Sequence, residues 1–355
     1  MLGLIHTFLN LVAPPFTFFS LCVFLPPFYL FKSFSYVLSS IFSENLKGKV
    51  VVITGASSGI GEHLAYEYAK RGARLALVGR SENALREVVD RASDFGSPDV
   101  LMIRADVSKV EDCKRIVDDT MNHYGRLDHL VNNAGITLLS ILEDATDITN
   151  FRTIMDTNFW GSVYTTHFAL PHLKSSKGKI VVLSSSASWL PIPRQSIYNA
   201  SKAALLSMYE TLRIEFGPDI QITIVTPGFI ESELTQGKFL MSEGKMTVDQ
   251  DLRDRNFVQA QVSATPVAKV EGCAKSIVNS ACRGDRYLTE PAWFRVTYLW
   301  KVFCPELLEW GYRLIYMNRA GSSARDAPSE KILDYTGAKN VLYPESLHTP
   351  EVKTD

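Results

Sequence analysis

Acidic residues and arginine are missing from the first 43 positions of this 355-residue chain, where Lys32 is the only Lys or Arg. The chain as a whole lacks a basic block and carries a net charge of −1, which excludes the electrostatic footprint of a nucleic-acid-binding protein. Its five cysteines are odd in number and form no CxxC pair, so neither a disulfide scaffold nor a metal site is expected; a reducing compartment suits them. No internal repeat or low-complexity block is present. With 46% hydrophobic and 21% charged residues, what remains has the composition of a globular α/β protein behind an apolar head.

Residues 2–31 hold seven Phe and seven Leu and no formal charge apart from a protonated His6. At about 1.5–3 kcal/mol for each fully buried large side chain, such a segment associates stably with lipid. A secretory signal needs a basic region ahead of the apolar run, and no Lys or Arg precedes Lys32. Pro14-Pro15 and Pro26-Pro27 remove backbone donors, which disfavours one straight helix through both pairs. The ten residues between the pairs would span only about 15 Å as a helix, too short to cross a bilayer. A bent apolar loop dipping into one leaflet or a monolayer is therefore expected, a buried core hairpin being the alternative. Lys32, Lys47 and Lys49 follow the apolar run and put the remaining chain on the cytosolic side. The chain thus reads as an anchor over 1–44, a main domain over 45–290, an aromatic amphipathic segment over 291–317 and a polar, mobile tail over 318–355.

Val50–Thr54 reads as a buried parallel strand, followed by helical periodicity through Leu64, Ala65, Tyr68 and Ala69. The turn between them carries Gly55, Ser57, Ser58, Gly59, Ile60 and Gly61, with glycines where a pyrophosphate must approach backbone and a helix start that offers free N–H groups. Its G-x3-G-x-G spacing departs from G-x-G-x-x-G. A second strand over 74–78 ends at Gly79-Arg80-Ser81, with no carboxylate to bind a ribose 2′-hydroxyl. Arg80 suits a 2′-phosphate, so NADP(H) is expected over NAD(H), the alternative for Arg80 being a solvated charge at a helix start. A strand over 100–105 and a fourth strand ending in residues 130–135 bring Asp106-Val107 and Asn132, Ala134 and Gly135 to the same sheet edge. This strand–helix alternation predicts a Rossmann-type, doubly wound parallel sheet.

A fifth strand over 179–183 leads into Ser184-Ser185-Ser186, and Tyr198 and Lys202 lie four apart on one face of the next helix. An ammonium beside a phenol lowers its pKa and makes it a usable acid/base, although a Y-x3-K pair alone is common. Together with Ser185, thirteen residues before Tyr198, and Asn158 in Asn158-Phe159-Trp160-Gly161, the pair resembles the catalytic tetrad of the short-chain dehydrogenase/reductase family. The glycine turn, Asp106, residues 132–135 and Pro227-Gly228 resemble its other motifs, over residues 46–291. Within the family the core is similar to the 11β-hydroxysteroid dehydrogenases. With its proline-paired head, the chain resembles the steroleosin group of oil-body-anchored plant enzymes.

The resemblance implies that Tyr198 exchanges a proton with the substrate oxygen, that Ser185 hydrogen-bonds that oxygen, and that Lys202 lowers the phenol pKa and holds the nicotinamide ribose. Asn158 would position a relay water, and Pro227-Gly228 would line the cofactor. It further implies a mobile lid over 229–261, a steroid- or sterol-like substrate, a homodimer, and residence on lipid droplets and endoplasmic reticulum. The segment 291–317, with its eight Trp, Phe and Tyr residues between Arg295, Lys301 and Arg313, suits a lipid interface, a dimer contact or helices closing the core. A coat protein or a sterol-binding sensor without turnover are the competing functions.

Overall fold

The computed structural model describes residues 2–138, 141–145, 147–231, 238–240, 246–248, 265–316, 335–336 and 338–344. The chain divides into two compact units, Met1–Glu44 and Asn45–Asp355. The first is helix α1 (Leu2–Ile41), continuous through all four prolines and with no buried residue. The expected bent loop is therefore replaced by a single helix about 60 Å long. Two Pro-Pro pairs deprive only the carbonyls of Asn10, Leu11, Cys22 and Val23 of their usual N–H partners. Every other backbone group of this apolar stretch has few side-chain partners to turn to, and a helix satisfies it internally.

In the second unit, β1 (Val50–Thr54), β2 (Arg74–Gly79), β3 (Val100–Arg104), β4 (His129–Asn132), β5 (Lys179–Leu183), β6 (Gln221–Pro227) and a last strand, β9 (Tyr287–Glu290), form one parallel sheet. Their spatial order, β3-β2-β1-β4-β5-β6-β9, is the doubly wound arrangement expected. Helices α2 (Gly59–Ala69), α3 (Glu82–Asp94) and α8 (Val270–Arg283) bury Leu64, Leu85 and Ile277 against one face. The opposite face is covered by α4 (Val110–Tyr124), α6 (Gly161–Ser176) and α7 (Ser196–Glu215) through Ile116, Leu173 and Tyr209. A short helix α5 (Arg152–Met155) runs into α6 through a wide π turn, Asp156–Trp160. β1 and β4 are neighbours, but their following strands run to opposite edges, which opens a crevice beyond Thr54 and Asn132.

At the amino ends of the strands, the buried Asp128 carboxylate accepts from the Val50 N–H at 2.9 Å, Lys49 Nζ at 3.2 Å and Arg126 Nη2 at 2.6 Å. Burial pushes its pKa up, but these hydrogen bonds outweigh it and hold the carboxyl below its ordinary range. The clamp fixes the first strand just after the boundary between the two units.

The aromatic segment becomes a 3₁₀ turn (Ala292–Phe294) and two helices, α9 (Arg295–Phe303) and α10 (Pro305–Tyr316). Phe294 is buried with Trp189 and Leu190, packed by Phe229, Leu308 and Tyr312, so this part closes a core. Trp300, Phe303 and Trp310 stay exposed on the outside. Of the expected lid, the described residues include a small antiparallel hairpin, β7 (Lys238–Leu240) with β8 (Met246–Val248). Its roots are tied by Ala268 N–H donating to Phe229 O and Glu231 N–H donating to Ala268 O, both at 3.0 Å. The rest of 229–261 and most of 318–355 lie outside the described residues. Within 338–344, Leu342 O accepts from Val267 N–H at 3.0 Å, and Tyr343 is buried.

Candidate active site

The strand–turn–helix from β1 to α2 has room only for glycine at its closest approaches. Gly55 and Gly59 adopt φ of +64° and +56°, where a side chain is strained. A Cβ on Gly61 would lie 2.1 Å from the Gly55 carbonyl oxygen, and one on Gly55 would lie 2.7 Å from Ala134 Cα. The Asn133 amide donates to the carbonyls of Thr54 (3.0 Å) and Gly55 (2.9 Å), while the Thr54 hydroxyl accepts from the N–H groups of Asn133 and Ala134. Ser58, at the N-cap of α2, makes no side-chain cap, and Ile60 packs onto the core. The first-turn N–H groups of α2 thus stay available to an anion. Backbone bared by Gly55 and Gly61 fits a pyrophosphate.

At the end of β2, a Cβ on Gly79 would stand 3.3 Å from the Ser57 side chain, so glycine makes room for that serine. Arg80 is exposed and has no ion pair among the described residues, and the Ser81 side chain leaves the N-terminus of α3 uncapped. Asp106 accepts from the Ser108 N–H (3.0 Å) and hydroxyl (2.8 Å), and Val107 packs where a Cβ on Gly161 would collide with it. Asn132 differs from expectation. Its amide donates to Thr166 and Tyr209 and accepts from Thr165, so its side chain braces α6 and α7 and is turned away from the crevice.

The three consecutive serines separate by their partners. Ser184 Oγ donates to Lys202 O at 2.8 Å, and Ser186 is buried in a 3₁₀ turn. Ser185 Oγ, by contrast, accepts from Ala187 N–H at 3.1 Å and lies within hydrogen-bond reach of the Tyr198 phenol. Lys202 is buried and donates to Leu183 O at 2.8 Å, with Nζ 5.7 Å from the centroid of the Tyr198 ring. Burial brings its ammonium down to about 8. Burial also raises the Tyr198 phenol, opposed by the Ser185 hydroxyl. The ammonium is directed to a strand carbonyl, and desolvation is the larger influence on the phenol.

Asn158 sits in the π turn and is fully buried. Its carbonyl accepts from Ile136 N–H at 2.8 Å, and its amide donates to Ile136 O and to Ser201 Oγ. Ser201 in turn donates to Tyr198 O at 2.7 Å. The side chain therefore ties the loop after β4 to the helix of Tyr198. A Cβ on Gly135 would come within 3.4 Å of both Asn158 Oδ1 and Lys202 Nζ, so that glycine admits both groups. Pro227 and Gly228 close the site from β6: Ser185 Oγ lies 3.5 Å from Pro227 O, and a Cβ on Gly228 would strike the Phe294 ring at 2.3 Å.

The family model for short chain dehydrogenase matches residues 49–243. The chain belongs to the short-chain dehydrogenase family. It is 63% identical over 354 residues to 11-beta-hydroxysteroid dehydrogenase A of Sesamum indicum and 64% identical to 11-beta-hydroxysteroid dehydrogenase A of Arachis hypogaea, each comparison covering 100% of both chains. A short-chain dehydrogenase/reductase from Burkholderia phymatum in complex with NAD shares the fold, with a TM-score of 0.64 and 24% identity, covering 74% of this chain and 96% of that one. The protein is therefore an oxidoreductase of this family. Reading the sequence alone passed over Thr54, Asn133 and Ser201, which touch functional residues through backbone groups. The doubled Asn132-Asn133 was the one visible signal; the π turn has none in the hydrophobic pattern.

Proposed function

We propose that the protein is an NADP(H)-dependent dehydrogenase that interconverts a hydroxyl and a keto group on a steroid- or sterol-like lipid. It would work at a lipid-droplet or endoplasmic reticulum surface, held there by α1, with the catalytic domain facing the cytosol. The observation that carries this reading is Ser185 beside the Tyr198 phenol, with Lys202 buried under the tyrosine ring. Gly55, Ser57, Ser58, Gly59 and Gly61 would hold the pyrophosphate, Arg80 and Ser81 the 2′-phosphate, Asp106 and Val107 the adenine side, and Ala134, Gly135, Lys202, Pro227 and Gly228 the nicotinamide side. Bound there, the nucleotide supplies the hydride acceptor or donor.

The protein's own groups handle the proton. A phenol raised by burial is neutral near pH 7, the form that donates to a ketone oxygen. In the reverse direction the phenolate accepts the alcohol proton, with the Ser185 hydroxyl stabilising the anion and orienting the substrate oxygen. Lys202 keeps a positive charge close to that anion, and its cost of burial makes it a usable proton partner. The absence of a carboxylate at Gly79 and an Arg80 with no ion pair among the described residues support NADP(H), and the sesame and peanut relatives' names support a steroid.

The test is turnover of a hydroxysteroid panel by purified protein with NADP⁺ or NAD⁺. Tyr198→Phe is expected to lower turnover about 10²- to 10⁴-fold while cofactor affinity stays within a few-fold. Arg80→Ala is expected to narrow the preference for NADP⁺. Substantial activity in Tyr198→Phe overturns the acid/base assignment, and cofactor binding with no turnover of any steroid favours a sensor.

A further inference from the structure

Between the catalytic serine and tyrosine runs the loop 189–195, and one of its residues stands out on two independent counts. Arg194 adopts φ of +64°, one of only two non-glycine residues at positive φ among the described residues. Glycine or asparagine would adopt that conformation at lower cost. Its Nε is shut off from solvent without a hydrogen-bond partner, and the guanidinium has no ion pair among the described residues. A half-buried cation with an unsatisfied donor is unfavourable unless something else completes it.

The sequence offers it nothing nearby. Residues 157–209 contain no Asp or Glu, so the whole stretch bearing Asn158, Ser185, Tyr198 and Lys202 is without a carboxylate. Looseness does not explain the strain either. The loop is pinned by Trp189 Nε1 donating to Thr297 Oγ1 (3.1 Å), Asn199 Nδ2 donating to Ile192 O (2.9 Å) and Gln195 Nε2 donating to Thr137 Oγ1 (3.3 Å). Leu190 and Ile192 pack in the cluster that contains Phe229, the root of the segment expected to cover the substrate. The strained residue is four positions before Tyr198, on the loop between the catalytic serine and tyrosine.

We propose that Arg194 is a specificity-determining residue that reads an anionic group, a carboxylate or sulfate, carried by the lipid substrate. This rests on the oxidoreductase reading above. Its planar guanidinium is suited to bidentate recognition of such a group, and the apolar side chains of Leu190 and Ile192 on the same loop suit the hydrocarbon that bears it. The incoming anion supplies the partner that Arg194 lacks among the described residues, and a neutral analogue does not.

The test compares a hydroxysteroid carboxylic acid with its methyl ester, which share the reacting hydroxyl and differ in charge, using full-length protein in detergent. Wild type is expected to favour the acid about tenfold in kcat/KM, through KM. Arg194→Gln should raise KM for the acid about tenfold and leave kcat and the ester unchanged; Arg194→Lys should keep part of the preference. Equal use of acid and ester by wild type overturns the proposal. So does a preference that survives in Arg194→Gln, or a parallel loss on both compounds. If neither compound is turned over, the hydroxysteroid reading fails, and equilibrium binding to the cofactor-loaded protein decides Arg194 separately. Acid binding weakened about tenfold by Arg194→Gln sustains the proposal, and unchanged or absent binding overturns it.

Discussion

Burial lowers the Lys202 ammonium from 10.5 to about 8, and this has a consequence for stability as well as for proton transfer. Between those values the unfolded chain holds the proton and the folded one does not, so stability rises with pH across that interval. The full effect is about 3 kcal/mol, with the cost of burying the charge present at neutral pH. Wild type should therefore gain on Lys202→Met as pH rises from 8 toward 10, read as the difference between their denaturant midpoints; a constant difference would contradict the buried ammonium. Spacing puts Tyr198 and Lys202 on one helix face and the three serines at a strand end, and the resemblance to the family singled out Ser185 among them. Which way the ammonium points was not legible. The Leu183 carbonyl that takes it is a backbone group, and a side-chain pattern carries no trace of it.

At the scale of elements, β1, β5 and the glycine turn fall where hydrophobic runs and glycine placement put them, since a fully buried parallel strand needs an unbroken apolar run. The turn tolerates nothing larger. In Gly61→Ala the added carbon meets a backbone oxygen that cannot swing aside. Overpacking of about 1–3 kcal/mol translates to roughly a ten- to hundredfold loss of cofactor affinity in a fluorescence titration, with the fold retained. Helix α1 went the other way. The proline rule counts lost donors in water, where a broken helix finds new partners; an apolar stretch of forty residues has no such alternative. The π turn around Asn158 was equally invisible, because one extra residue in a turn leaves the apolar spacing on either side intact.

For the molecule as a whole, the Asp128 clamp and the apolar helix govern separate properties. Asp128→Asn removes the carboxylate on which Lys49, Val50 and Arg126 converge and should cost about 2 kcal/mol in a urea melt. Because the folded pKa is depressed, this contribution is present above the unfolded value of 3.8 and is lost as pH falls through the lower folded value. Deleting residues 1–43 should move the protein from the lipid fraction to the soluble one on flotation. A truncated chain that still floats would assign the anchoring to the exposed Trp300, Phe303 and Trp310. The core role of Phe294 was not legible in the sequence: its partner Gly228 lies 66 positions earlier, and only the folded chain joins them. That contact also sets a schedule for synthesis. At roughly 5–20 residues per second, several seconds separate translation of Gly228 from that of Phe294. A ribosome that stops in that interval releases a chain with every tetrad residue in place and the far wall of its catalytic cleft still unmade.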